Sequence, residues 1–209
     1  MSAAHVLTLD DILDQRAYER ERDAFRAHVI AVKKRRRVSV GPVITLTFEN
    51  RMTMRFQIQE MARAERMSTD AQIQHELDVY NRLLPARGEL SATLFVELTD
   101  ERELRHWLPR LVGIERACQL RVGEVAGGGA RYVIPSVPEQ EHQANLTREA
   151  TTSAVHYVRF VLDDQQVEAF TTGPVRLVVD HPGYPDGRPG VLLADTTRAE
   201  LAADLVGEA

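Results

Sequence analysis

The chain has 209 residues, of which 44% are hydrophobic and 27% charged, and its formal net charge is −5. This composition is typical of a globular protein with a core, and the length suits one domain, so we predict a single domain over residues 1–209. Its apolar runs are only a few residues long, whereas a membrane-spanning helix needs about 20, and no signal peptide is recognisable. We therefore expect a cytoplasmic protein without a membrane partner.

The first predicted element is a long helical N-terminal arm over about residues 8–36. The segment from Thr8 to Asp11 has the character of a capping box, which marks the start of a helix. Apolar residues then recur at helical spacing and form one stripe, made of Tyr18, Phe25, Val29 and Val32. The stripe indicates that one side of the arm packs against the rest of the protein.

A basic run ends this arm: Lys33, Lys34, Arg35, Arg36 and Arg37. Of the 26 basic residues five lie here, and the 21 others face 31 acidic residues, a balance of −10. Because cations are favoured beside the unpaired carbonyl groups of a helix C-terminus, a solvated helix end is the first interpretation, and contact with an anion or phosphate is the second. Nucleic-acid binding is disfavoured, since a duplex-binding domain usually carries a broad basic face.

The sequence around Asn50 is symmetric in its apolar residues. Positions that pair about Asn50 alternate between apolar and mostly polar, which predicts a β-hairpin with one buried face and a short loop at Glu49–Arg51. Asn tolerates the left-handed conformation that such a loop often needs. The apolar pairs are Phe48 with Met52, Leu46 with Met54, Ile44 with Phe56, and Pro42 with Ile58.

Helices and strands alternate along the rest of the chain. Helices are predicted over 59–66, from Thr69 to before Pro85, from Asp100 to near Gly113, from Asp163, and from Asp195 or Thr196 toward Val206. Strands are predicted over Leu90–Leu98, Cys118–Val125, Ser153–Leu162 and Val175–His181, with loops at 127–129, 135–152 and 181–190. Since the assignable strand pairing is an antiparallel hairpin, we predict the α+β class, with a mixed sheet and several short covering helices.

Familiar catalytic and phosphate-binding motifs are absent from the sequence. Glu60 lies near arginines in its short helix, which favours a structural ion-pair network over an acid–base or metal role. Glu76 and Asn81 flank the apolar stripe of the Thr69 helix, at positions where a side chain is half-buried and paired. His75 points away from that stripe, so we expect it to be exposed.

Two histidines lie on the apolar faces of predicted strands. Strand alternation places His156 on the face of Val158, and His181 on the face of Val179. A buried imidazole needs a hydrogen-bond partner or a ligand, so each is either a satisfied core residue or part of a metal or proton-transfer site. A shared site requires the two strands to be neighbours. The candidate polar cluster is Glu60, Glu76, Asn81, His156, Asp180 and His181, with His156 and His181 as candidate ligands of a divalent metal.

Cys118 is the only cysteine. One thiol cannot form a disulfide within the chain, and cysteine ligands alone cannot then hold an iron–sulfur cluster or a zinc ion there. Free cysteines are commonly buried, so we expect a small core residue, with a nucleophile as the alternative.

A set of short stretches forms an ordered series of motifs along the chain. They are Gly41-Pro42, Phe48-Glu49-Asn50-Arg51, Gln57-Ile58-Gln59-Glu60-Met61, Tyr80-Asn81, Leu84-Pro85, Ser91-Ala92-Thr93-Leu94, Ser153-Ala154-Val155-His156 and Asp180-His181-Pro182-Gly183-Tyr184. On these stretches the chain resembles a bacterial family, the domain-of-unknown-function family numbered 3501. The resemblance runs from about Leu7 to Leu205 and departs at residues 127–129 and after Tyr184.

What this resemblance implies is a role rather than a reaction. Members of the family tend to be encoded near rubrerythrin-like proteins and iron–sulfur oxidoreductases, which implies a cytosolic binding or accessory protein of redox or peroxide metabolism. A redox protein of either kind is then the expected partner, and the acidic body and basic helix end are candidate docking surfaces. The alternatives are a metal-binding protein or metal-dependent enzyme, and an anion- or nucleic-acid-binding protein using Lys33–Arg37. The sequence leaves homo-oligomerisation open.

Overall fold

The computed structural model describes residues 6–125, 128–139 and 151–207. Within these ranges the helices are α1 Gln15–Arg35, α2 Arg51–Ala64, α3 Asp70–Tyr80, α4 Glu101–Trp107, α5 Asp164–Thr172 and α6 Asp195–Val206. The strands are β1 Arg37–Val40, β2 Ile44–Glu49, β3 Glu89–Val96, β4 Cys118–Glu124, β5 Ala130–Pro135, β6 Val137–Pro138, β7 Val155–Val161, β8 Val175–Val179 and β9 Val191–Leu192.

The strands form two sheets rather than the one mixed sheet of the sequence prediction. The first has the order β1-β2-β3-β7-β6 and the second the order β5-β4-β8-β9. Every strand pair in the described ranges is antiparallel. The α+β class is therefore confirmed, and it is built from antiparallel pairs throughout.

One apolar core joins the two sheets. Alternate residues of β2, β3 and β7 point into it, and so do alternate residues of β4 and β8. The first sheet contributes Leu46, Phe48, Leu90, Ala92, Leu94, Val158 and Phe160, and the second Leu120, Val122, Val175, Leu177 and Val179. This face of each sheet follows the strand alternation in the sequence.

The other face of the first sheet is polar but also buried. In β2 all six residues are buried, including Thr45, Thr47 and Glu49. Thr93 of β3 donates a 2.7 Å hydrogen bond to Glu49 on this face. Helices α1, α2 and α3 form a separate layer with its own small apolar cluster, against which Tyr157 of β7 packs. A helical layer thus covers the polar face of the sheet.

The predicted hairpin around Asn50 is half right. Residues before Asn50 form β2, but Asn50 begins helix α2, so the prediction of a second strand over Met52–Ile58 is wrong. Asn50 Oδ1 accepts from the Thr53 amide at 3.0 Å, and Thr53 Oγ1 accepts from the Asn50 amide at 2.9 Å. This reciprocal cap stabilises the first turn of a helix. The actual partner of β2 in a hairpin is β1.

Other helix starts agree with the caps in the sequence. Thr69 forms a capping box with Gln72, and Asp100 and Asp163 accept amide hydrogen bonds at the starts of α4 and α5. The N-terminal arm begins later than predicted, since Asp14 caps α1 and the Thr8 box closes only a short 3₁₀ turn.

The start of the loop predicted over residues 135–152 is in strands rather than in a loop. Residue 135 ends β5, and Val137–Pro138 forms β6 beside β7. Residues 140–150, like Gly127, lie outside the described residues. Across the ranges that are described, none of the helices is both long and apolar enough to cross a membrane.

Candidate functional site

The basic run at the end of α1 is largely neutralised by carboxylates. Its ion pairs are Lys33 with Glu49 at 3.9 Å, Arg35 with Glu200 at 2.6 Å, Arg36 with Asp204, and Arg37 with Glu97. Lys34 is exposed and forms no ion pair with the described residues. A run of this kind is not a free basic surface, so the arrangement does not favour nucleic-acid binding.

Arg36 is the member of the run that departs most from a solvated helix end. Its side chain is only 1% exposed, and its Nε donates to the Phe48 carbonyl at 3.0 Å. It also pairs with Asp204 of α6, whose side chain is 2% exposed. The interpretation of Arg36 as a solvated residue is wrong, because a guanidinium with this many partners can be buried. Burial raises the pKa of Asp204 despite the neighbouring guanidinium.

A groove of about 860 Å³ opens beside this ion pair, between α1, the start of α2, and α6. Four arginines and a histidine dominate its polar lining: His28, Arg35, Arg36, Arg51 and Arg55. Glu200 is the one carboxylate among the lining residues. Apolar side chains complete the walls: Phe25, Val32, Met52, Ala199 and Ala203. The groove therefore combines a positive side with an apolar side.

Arg51 and Arg55 lie one helical turn apart at the start of α2. Arg51 donates to Asp11 Oδ1 at 2.6 Å, and its buried Nε has no hydrogen-bond partner among the described residues. Arg55 donates to the Asp11 carbonyl at 2.7 Å and lies 5.2 Å from the centre of the Phe25 ring, within range of a cation–π interaction.

The start of α2 gives the groove its affinity for an anion, since Arg35 and Arg36 are already paired with Glu200 and Asp204. The first turn of α2 has no acidic residue, so its positive end is not offset within the helix. Arginine is the side chain best suited to carboxylate and phosphate groups, which it binds through two parallel hydrogen bonds. What the groove offers chemically is recognition of a negatively charged group next to an apolar one.

The six residues of the predicted polar cluster do not meet in the structure. Among the described residues, none of the six forms a hydrogen bond or ion pair with another. Five of them have other partners. Glu60 accepts from Tyr18 and Arg22, Asn81 bonds to the backbone of Leu7, His156 contacts Thr152, Asp180 pairs with Arg188, and His181 donates to the Val112 carbonyl. Glu76 lies half-buried on α3.

Glu60 behaves as the ion-pair interpretation predicts. Arg22 of α1 holds its carboxylate by two hydrogen bonds of 2.8 and 2.9 Å, and Tyr18 donates at 2.7 Å. The hydrogen bonds from Arg22 lower the pKa of Glu60 below its ordinary value, although burial opposes them. Glu60 thus ties α2 to α1.

The two histidines belong to different sheets. His156 lies on β7 of the first sheet and is 2% exposed, whereas His181 follows β8 of the second. The neighbouring strands that a shared site requires are therefore absent. His181 uses both ring nitrogens, donating to Val112 O and accepting from the Gly183 amide, each at 3.0 Å. In the described part of the chain, no three side chains of His, Cys, Asp or Glu are grouped to hold a metal ion.

Cys118 is fully buried at the start of β4, as predicted. Burial raises the pKa of its thiol to about 12. A thiol of this kind stays protonated at neutral pH, so the structure favours the core residue over the nucleophile.

Comparison with known proteins assigns the chain to a family. The family model described as a protein of unknown function (DUF3501) matches residues 6–205. The chain belongs to the DUF3501 family. A crystal structure of a protein of unknown function from Burkholderia pseudomallei is similar to it, with 38% sequence identity and a TM-score of 0.84 over 96% of this chain and 99% of the other. No curated protein matches the sequence.

Sequence reasoning missed the groove of this DUF3501 protein because it placed Arg51 and Arg55 in a hairpin. The stretch Phe48–Arg51, on which the resemblance partly rested, contains two groove residues, Asn50 and Arg51. The signal that identifies the helix is present in the sequence, as Asn50 followed three residues later by Thr53. Recognising this helix start would have placed Arg51 and Arg55 on one face of a helix.

A pH dependence of stability follows from His156 in this DUF3501 protein. Burial lowers the pKa of His156 below its ordinary value of 6.5, and the nearby Glu115 and the Ser153 carbonyl offset this only in part. The unfolded chain therefore binds the proton more readily, so the free energy of unfolding falls as the pH drops below 6.5 toward the folded-state pKa. We expect His156→Gln to show a smaller loss of stability between pH 7.5 and 5.5 in urea denaturation. The exposed His75, changed to Gln, is the matched control and should retain the loss; an equal loss in His156→Gln contradicts the prediction.

Proposed function

We propose that this DUF3501 protein is a binding protein for a small anionic molecule that occupies the groove between α1, α2 and α6. The observation that carries the proposal is the pair Arg51 and Arg55 on one open groove: Arg55 forms no ion pair with the described residues, and the buried Nε of Arg51 has no hydrogen-bond partner among them. Arg36 is buried and holds the wall in place through Asp204. Arg51 and Arg55 are the groups that meet the ligand.

The size and chemistry of the groove narrow the ligand class. Its volume of about 860 Å³ lies in the range of small-molecule sites. A carboxylate or phosphate group fits the arginines, and a small apolar portion fits against Phe25 and Met52. The groove supports binding, and no group of residues in it is arranged as a nucleophile with its base.

Calorimetric titration with inorganic pyrophosphate and with citrate tests this function. We expect saturable binding that weakens as salt is raised, because the contacts are charge-assisted and partly exposed to solvent. Arg55→Gln removes one charge from the groove, and we expect affinity to fall about tenfold or more, the usual worth of a hydrogen bond to a charged group.

Arg26→Gln is the matched control, since Arg26 is an exposed arginine of α1 that does not line the groove. It should bind like the wild type. Absence of saturable binding at low salt, or equal affinity for Arg26→Gln and Arg55→Gln, would refute the assignment.

A redox partner remains a prediction from the family resemblance. We propose that the protein binds its anion in a complex with this partner. We expect the protein to form a complex with a rubrerythrin-like protein or an iron–sulfur oxidoreductase encoded near it. Size-exclusion chromatography of the purified pair measures this directly. Independent elution of both proteins at micromolar concentration would count against the partnership.

A further inference from the structure

The N-terminal strap, which we define as residues 7–13, is held on the helical layer by side-chain amides that bind its backbone. Asn81 accepts from the Leu7 amide at 2.9 Å and donates to the Leu7 carbonyl at 2.8 Å. Gln59 does the same for Leu13, at 3.0 and 2.9 Å. Two amide clamps, Asn81 and Gln59, therefore hold the two ends of the strap, each by a pair of backbone hydrogen bonds.

Packing beneath the strap is uneven. Leu7 is 2% exposed and joins the apolar cluster of Met54, Ile58, Leu77 and Leu83. Further along, Leu9, Ile12 and Leu13 line a cavity of about 490 Å³ together with α2 and α3. Strap residues that line a cavity of this size have fewer neighbours on that side than packed residues, so this part of the strap opens at lower cost.

The middle of the strap contacts two arginines of the groove through Asp11. Its Oδ1 binds Arg51 and its backbone carbonyl binds Arg55, so the same residue occupies both groove arginines. Asp11 Oδ2 accepts from the Thr8 amide at 2.8 Å, which fixes the carboxylate in the strap. The strap thus presents a built-in carboxylate to the arginines that we assign to the ligand.

We propose that the strap and the groove ligand compete: an anion that takes Arg51 and Arg55 displaces Asp11 and releases residues 7–13 from α2 and α3. This inference rests on the proposed function and adds its regulation. Because linkage is reciprocal, a docked strap weakens anion binding by the same factor by which the anion weakens docking, so a variant that detaches the strap binds the anion more tightly. Release of residues 7–13 from α2 and α3 is then the signal that the groove is occupied. We call the strap a latch in this sense.

Amide hydrogen exchange of the full chain, with and without saturating pyrophosphate, tests the latch. The Leu7 and Leu13 amides are protected by Asn81 and Gln59. We expect pyrophosphate to speed their exchange about fivefold or more. Asp11→Asn should bind pyrophosphate about fivefold more tightly and exchange faster without it. Asp14→Asn is the control, because Asp14 caps α1 and does not contact either arginine.

Asn81→Leu distinguishes release of the strap from a local effect of the Asp11 charge. It breaks the clamp on Leu7 without altering any group in the groove, so competition predicts tighter pyrophosphate binding for this variant too. Wild-type affinity in Asn81→Leu, or unchanged exchange of residues 7–13 under saturating pyrophosphate, overturns the latch and leaves the anion site intact. If neither the wild type nor Asp11→Asn binds pyrophosphate or citrate, the proposed function fails and the latch fails with it.

Discussion

Arg36→Met lowers the free energy of unfolding by about 3–5 kcal/mol, the usual cost of removing one partner of a buried ion pair. The substitution keeps most of the side-chain volume but leaves the Asp204 carboxylate buried without its cation. One oxygen of Asp204 already lacks a hydrogen-bond partner among the described residues. The Phe48 carbonyl also loses its side-chain donor. Urea denaturation at pH 7.5 measures the effect.

A double variant shows whether the destabilisation comes from the unpaired Asp204 carboxylate or from lost packing. Arg36→Met with Asp204→Leu replaces the pair by apolar groups, and we expect it to regain most of the stability, since such replacements are often neutral. Lys34→Met is the matched control because Lys34 is the exposed neighbour in the same run, and it should change stability by less than about 0.5 kcal/mol. A loss below 1 kcal/mol in Arg36→Met would show that the pair is not a structural element.

Tyr184→Phe should destabilise the protein by about 2–4 kcal/mol, because it removes one hydroxyl that satisfies several buried backbone groups. Tyr184 is fully buried. Its hydroxyl donates to the Val40 carbonyl at 2.7 Å and accepts from the amides of Val43 and Ile44 at 3.0 and 3.3 Å. These groups belong to the turn between β1 and β2. The substitution therefore destabilises the β1–β2 hairpin, which comes directly before α2 in the chain.

The same turn explains why Gly41 is a glycine. Its φ is +66°, and a Cβ built there would lie 2.5 Å from the Tyr184 hydroxyl oxygen.

Thermal unfolding of Tyr184→Phe, with Tyr132→Phe as the control, checks the predicted loss of stability. The Tyr132 hydroxyl lies on β5 and makes no hydrogen bond to the described residues, so its loss should be small. Equal changes in Tm for the two variants would show that the Tyr184 hydroxyl contributes nothing beyond its ring.

Part of the fold was predictable because it depends on neighbours in the chain. Thr69 and Asp100 lie next to the amides that they cap, and strand alternation correctly turned His156 inward. At Asn50 two local signals conflicted: apolar alternation indicated a strand, and the Asn50–Thr53 cap indicated a helix. The helix formed because residues spaced four apart, Met54, Ile58 and Ala62, bury one face against the helical layer.

The candidate site was not predictable from local pattern. Arg35 and Arg36 meet Glu200 and Asp204 across 165 and 168 residues of chain, and no local pattern specifies which distant carboxylate a cation meets. Strand alternation faced His181 toward the interior, but it could not place β8 in a second sheet, because alternation identifies a face and not a neighbour.

By itself, the sequence determined the α+β class, the helix caps at Thr69, Asp100 and Asp163, and the burial of His156 and Cys118, because backbone geometry and side-chain period act over a few residues. Only the tertiary structure decided that a basic run is paired rather than free, and that Arg51 and Arg55 share a groove with α6. Charges act through space, and their partners are set by how helices and sheets pack.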